Sequence, residues 1–162
     1  LFDRLTPLHQ LGAEDRVLLR VAAITHDVGD FVEPSAHHKH TQYILEHSDI
    51  MGLSPELRVV VGCIARYHRR ADPSPKHESY GALAPEEQRK VRKLSAVLRI
   101  ADALDRGHRS KVQKLDVTVS ARDVLLKASG REDLSLEVWT AVRKAALFEQ
   151  TFKRPVRVVT TT

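Results

Sequence analysis

The chain has 162 residues, 42% of them apolar and 29% charged, with a formal net charge of +5. That length suits one domain or at most two, and the basic balance favours phosphates, nucleotides or nucleic acid as partners. The lone cysteine, Cys63, rules out an internal disulfide framework or a cysteine-based zinc site; no apolar run reaches membrane-spanning length and no stretch reads as a signal peptide, so a reduced, cytoplasmic setting is expected.

Residues 1–8 read as the end of an amphipathic helix carrying Leu1, Phe2, Leu5 and Leu8. Because LFDRL starts in mid-helix, further chain is expected upstream. A second helix is predicted from about Glu14 to Val28, read as buried through Val17, Leu18, Leu19, Val21 and Ile24, and stopped by Gly29. A third covers about His38 to Glu46. Ser54-Pro55-Glu56 is a strong helix start: a capping serine, a proline in the first turn, and an acid near the positive end of the dipole. The helix it opens is predicted to reach about Arg69. Residues 71–85 form a proline-bearing loop whose length suggests a binding loop. A long helix follows from about Pro85 to Arg106, striped by Val91, Leu94, Leu98, Ala101 and Leu104. The period then falls to two. Strands are predicted at 115–119, 124–127 and 155–159, with a helix from Leu134 to Phe152 containing Trp139 as a core residue. The expected fold is mainly α: a helical bundle over 1–111, followed by a small β-β-α-β unit over 112–162 packed on it.

The chemistry lies in His26-Asp27, His37, His38, His40, His68, Asp102 and Asp105, each in or at the end of a predicted helix. Neutral imidazoles and carboxylates together suit Zn, Mn, Fe or Mg. Asp102 follows Val97, Leu98, Ile100 and Ala101 in an apolar helix, where a carboxylate needs a metal or a buried cation as partner. Arg99 and Arg106 stand at helical spacing to provide an ion pair instead. His9, His47 and His77 read as surface residues, and Cys63 as core.

HDVG, HHKHTQYIL, RYHRR and ADALDR, in this order, resemble the C-terminal HD domain of the exopolyphosphatase / guanosine pentaphosphate phosphohydrolase family, within the HD superfamily of metal-dependent phosphohydrolases. The resemblance extends over essentially the whole chain. It implies an HD-like helical bundle, hydrolysis of phosphoanhydrides, and polyphosphate or guanosine penta- and tetraphosphate as ligand. It also implies His26 and Asp27 as the metal-binding and catalytic doublet and Asp102 as the closing aspartate. Further metal ligands would come from His40, or its neighbours His37 and His38, and from His68. The superfamily's first metal histidine would lie upstream of LFDRL. The family's actin-like phosphatase unit, with its glycine-rich phosphate loops, has no counterpart in these residues.

Arg69, Arg70, Arg99, Arg106 and Arg109 are the candidate phosphate-binding residues, since guanidinium forks suit a chain of phosphates. Aromatic residues make up only 5% of the chain, too few to favour base stacking and nucleic-acid binding. The expected cofactor is a divalent metal. The expected partners are a phosphate-rich small molecule or polyphosphate, an N-terminal actin-like unit, and a second copy in a homodimer, with no membrane. The alternative reading is a non-catalytic module for polyphosphate binding and dimerisation, serving that N-terminal unit.

Overall fold

The computed structural model describes residues 1–161. The chain is mainly helical, with a small three-stranded sheet towards its C-terminus. In chain order the helices are α1 (Thr6–His9), α2 (Ala13–Thr25), α3 (His37–His47), α4 (Pro55–Arg66), α5 (Glu78–Gly81) and α6 (Pro85–Leu104). Strands β1 (Lys114–Val119) and β2 (Val124–Ser129) follow, then α7 (Ser135–Lys144), α8 (Ala146–Phe152) and β3 (Val156–Thr160). Short 3-10 segments cover Phe2–Leu5 and Val28–Phe31. Contacts divide the chain into two compact units, one of residues 11–98 and one of residues 1–10 with 99–162. No helix among the described residues is long and apolar enough to cross a membrane.

In the unit of residues 11–98, α2, α3 and α4 pack together. Leu18, Leu19, Ala22, Leu45, Val60, Val61 and Ile64 are buried, with Val91, Leu94, Val97 and Leu98 from α6. The helix start at Ser54 forms as its sequence predicts: the Leu57 N–H donates to Ser54 Oγ at 3.4 Å, and Pro55 takes the first helical position. The second helix ends at Thr25, earlier than expected, and its burial is one-sided. Val17 is 54% and Ile24 78% exposed, so the apolar residues of α2 lie on two faces, of which Leu18, Leu19 and Ala22 enter the core. The loop at 71–85 holds the one-turn helix α5, with Tyr80 buried.

In the other unit, β1 runs antiparallel to β2 and β2 runs parallel to β3. A parallel return needs a crossover, which α7 and α8 supply between β2 and β3. Alternation places Val124, Leu126, Ala128, Val156 and Val158 inside, with Ala141, Leu147 and Phe148. The single helix expected over 134–152 is two helices, divided at Ala145, whose N–H reaches back to Val142 O in a tightened turn. Trp139 is not core: it is exposed, with the Arg143 guanidinium 4.6 Å from its ring centre. His9, read as a surface residue, is fully buried, its Nε2 2.9 Å from the Phe2 carbonyl and its ring against Phe2.

Candidate functional site

Three helix ends converge in the unit of residues 11–98: the C-terminus of α2, the N-terminus of α3 and the C-terminus of α4. His26 caps α2, and Asp27 opens the 3-10 turn that follows. The turn is clamped onto α3. Thr41 Oγ1 accepts from the Gly29 N–H at 3.0 Å and donates to the His26 carbonyl at 2.9 Å. The fit is close enough that a Cβ on Gly29 would stand 2.2 Å from the His37 carbonyl oxygen. Only glycine allows this approach, and the approach carries Asp27 to the first turn of α3.

His37 is in that first turn, and His68 lies just beyond α4. Their rings stack at 5.2 Å between centroids, 7° from parallel, and His26 stands edge-on to His68 at 4.9 Å. Each imidazole turns Nδ1 towards a backbone carbonyl: His26 to Ala23 at 2.8 Å, His37 to Pro34 at 3.0 Å, His68 to Ala65 at 2.7 Å. A carbonyl only accepts, so each Nδ1 carries the proton. In the neutral rings each Nε2 is then a lone pair.

Those lone pairs face each other and a carboxylate. His37 Nε2 and His68 Nε2 are 3.1 Å apart, and Asp27 Oδ1 stands 3.3 Å and 3.5 Å from them. His26 Nε2 is 3.3 Å from the other oxygen, Asp27 Oδ2. Three acceptors, His37 Nε2, His68 Nε2 and Asp27 Oδ1, thus crowd one point. That is unfavourable unless a cation or an added proton lies among them. Among the described residues, Asp27, His37 and His68 form the one group whose ligand atoms, all within 4.8 Å of one another, could hold a metal ion. The backbone carbonyls behind the rings are the outer partners that fix tautomer and orientation in metal-ligating histidines. Asp30 adds a carboxylate contact to His37 Nδ1. The Asp27 side chain is 30% exposed, whereas those of His37 and His68 are at most 8%.

The electrostatic surroundings are cationic. Arg69 brings a guanidinium nitrogen to 3.3 Å from both ring nitrogens of His37. His38 is buried beside it. Burial first, then the charges of Arg69 and Arg66, push its pKa down to about 4, so it is neutral at ordinary pH.

The structure therefore brings together His26, Asp27 and His68 of the residues expected from sequence, with His37 from the histidine run. His40 stands with Nε2 3.6 Å from Glu33, outside this group. Asp102 belongs to the other unit, where its buried carboxylate is paired with the Lys144 ammonium. Arg69 and Arg70 lie in the unit of the histidine cluster; Arg99, Arg106 and Arg109 lie in the other, with Arg99 buried and Arg109 3.5 Å from Glu132. Sequence reasoning did not single out Thr41 or Asp30, and took Gly29 only as the stop of the second helix. The signal was a glycine two residues after the doublet, facing a hydroxyl one turn into the next helix.

A model of one protein family, described as Ppx/GppA phosphatase, domain III, matches residues 1–146.

Proposed function

Because the chain belongs to the Ppx/GppA phosphatase domain III family, we propose that it is an HD-type phosphohydrolase domain that engages a phosphate chain through a divalent cation held by Asp27, His37 and His68. The convergence of the His37 and His68 Nε2 atoms on the Asp27 carboxylate is the observation that carries this reading. Two imidazoles and a carboxylate, backed by carbonyls, fit Zn, Mn, Fe or Mg. When bound, such an ion supplies a Lewis acid and lowers the pKa of water enough to yield hydroxide near neutral pH.

The chain's own groups do the rest. His37 and His68 hold fixed tautomers and present Nε2. Asp27 shares its oxygens between that pair and His26, and His26 takes or returns a proton at Nε2. Arg69, and Arg70 beside it, neutralise non-bridging phosphate oxygens, as guanidinium groups do where negative charge develops. Polyphosphate or guanosine penta- and tetraphosphate are the ligands of this proposal, in a cytoplasmic setting.

A second reading is favoured by one observation. Asp102, the aspartate that would close an HD ligand set, is held by Lys144. The domain would then be a non-catalytic module for polyphosphate binding and dimerisation, serving an N-terminal actin-like unit. The test incubates the purified chain with polyphosphate and manganese or magnesium, and measures both retention of the polymer and release of orthophosphate. Release that disappears in Asp27→Asn supports the first reading. Retention without release, weakened by Arg69→Ala and indifferent to Asp27→Asn, supports the second. Neither retention nor release overturns both.

A further inference from the structure

On the side of α3 beyond the histidine cluster, a small cavity of about 220 Å³ is lined by Lys39, Arg66 and His77, and also by Glu46, Glu78 and Ser79. Both signs of charge thus share one enclosure. A buried amide organises them. Gln42, 6% exposed, takes the Arg66 guanidinium on its Oε1 and gives its Nε2 to Glu46 Oε1 at 2.7 Å. The Gln42 amide therefore holds a cation at one end and an anion at the other. Ser79 Oγ fixes the second Glu46 oxygen at 3.2 Å, and Tyr67 OH stands 2.7 Å from His77 Nδ1. Among the described residues, neither Arg66 nor Lys39 has a carboxylate within ion-pair distance.

A second cavity adjoins the small one. Tyr43, Glu46, Glu78 and Ser79 also line a neighbouring cavity of about 820 Å³, whose floor is Leu57, Val59, Val60 and Leu83. That size is typical of small-molecule sites, and a mostly apolar floor beside a few fixed polar groups is their usual chemistry. Glu56 and Glu87 also line the larger cavity, and this local excess of glutamates in a basic chain selects against a simple polyanion. Complementarity asks for a ligand that carries a carboxylate and an ammonium a short distance apart, with an apolar tail.

We propose that these adjoining cavities bind an α-amino acid with a large apolar side chain. Its carboxylate faces Arg66 and Lys39, its ammonium faces Glu46 and Glu78, and its side chain lies on Leu57, Val59 and Leu83. The site is separate from the Asp27–His37–His68 cluster, and it stands or falls independently of any metal there.

The probes are L-phenylalanine, 3-phenylpropionate, which lacks the ammonium, and 2-phenylethylamine, which lacks the carboxylate. Binding is followed by isothermal calorimetry and by chemical-shift changes on the whole chain. L-phenylalanine is expected to bind, with each of the other two at least about tenfold weaker, because a site built for a polar group rejects the analogue lacking it. Glu78 and Lys39 are both exposed, so their replacement leaves the fold intact, which the circular dichroism spectrum checks. Glu78→Gln should weaken L-phenylalanine but not 3-phenylpropionate; Lys39→Gln should weaken L-phenylalanine but not 2-phenylethylamine. Equal binding of all three probes, a loss in both variants that is the same for every probe, or no binding of L-phenylalanine at millimolar concentration overturns the proposal.

Discussion

Replacing Gly29 by alanine tests whether the close approach of the 3-10 turn to α3 is what assembles the histidine cluster. The new Cβ would stand 2.2 Å from His37 O, 2.5 Å from Thr41 N and 2.9 Å from His40 Cβ. Two of the three contacts are with backbone, which no rotamer change relieves. Ordinary contact begins near 3.4 Å, so the turn must retreat from the helix by roughly 3.4 − 2.2, about 1.2 Å. The retreat breaks the 3.0 Å bond from the Gly29 N–H to Thr41 and draws Asp27 away from His37 and His68. Overpacking of this kind costs about 1–3 kcal/mol. A liganding constellation tolerates only about 0.5 Å of displacement, so divalent-cation affinity should fall by at least about tenfold. Gly12→Ala is the control, since nothing lies within 4 Å of its Cβ position. Calorimetric titration with manganese and urea unfolding of both variants give the two readouts. If Gly29→Ala binds manganese as tightly as Gly12→Ala, the turn does not position Asp27 and the reasoning fails.

Thr41→Val removes the hydroxyl that links Gly29 N–H to the His26 carbonyl while keeping the shape, and should cost about 1–3 kcal/mol in urea unfolding by leaving both groups unpaired. His38 makes stability fall in acid. Its native pKa, pushed down to about 4, lies below the ordinary value of 6.5, so from pH 6.5 downwards the unfolded chain takes up a proton that the native chain refuses. The loss grows until pH reaches about 4 and is about 1–2 kcal/mol at pH 5. His38→Gln should flatten that slope in urea midpoints taken with a chelator present, and an unchanged slope would refute the assignment. Lys144→Met leaves the buried Asp102 carboxylate without its ammonium and should cost about 1–3 kcal/mol by thermal unfolding, whereas Asp102→Asn with Lys144→Met should recover part of that loss.

Local chemistry was legible wherever one residue type has one use. Ser54-Pro55 announced a helix start, the alternation in 115–119 and 124–127 announced strands, and an adjacent His-Asp after an apolar helix announced a polar cluster. Periodicity groups residues by face but does not say which face meets the core. In α2, Val17 and Ile24 are seven apart and share a face, yet Leu18, Leu19 and Ala22 are the buried set. The same ambiguity put Trp139 in the core. The division at Ala145 carries no proline or glycine, because two short helices there serve the crossover to β3. The histidine run was the hardest to read. His37, His38 and His40 all lie at the start of α3, and what separates them is the point where the turn touches the helix: His37 meets Asp27, His38 is sealed inside, and His40 faces Glu33. That contact depends on Gly29 and Thr41, twelve residues apart in sequence, a tertiary relation that no local pattern expresses.

In the proposed function, Asp27, His37 and His68 together hold one divalent cation. The most direct measurement is equilibrium titration with manganese, zinc and magnesium followed by metal analysis after gel filtration, on the chain and on Asp27→Asn and His68→Gln. The account predicts one ion per chain for at least one of these metals, released in both variants while their circular dichroism spectra stay unchanged. No retained ion at any of the three metals, or retention that is indifferent to both substitutions, would contradict it.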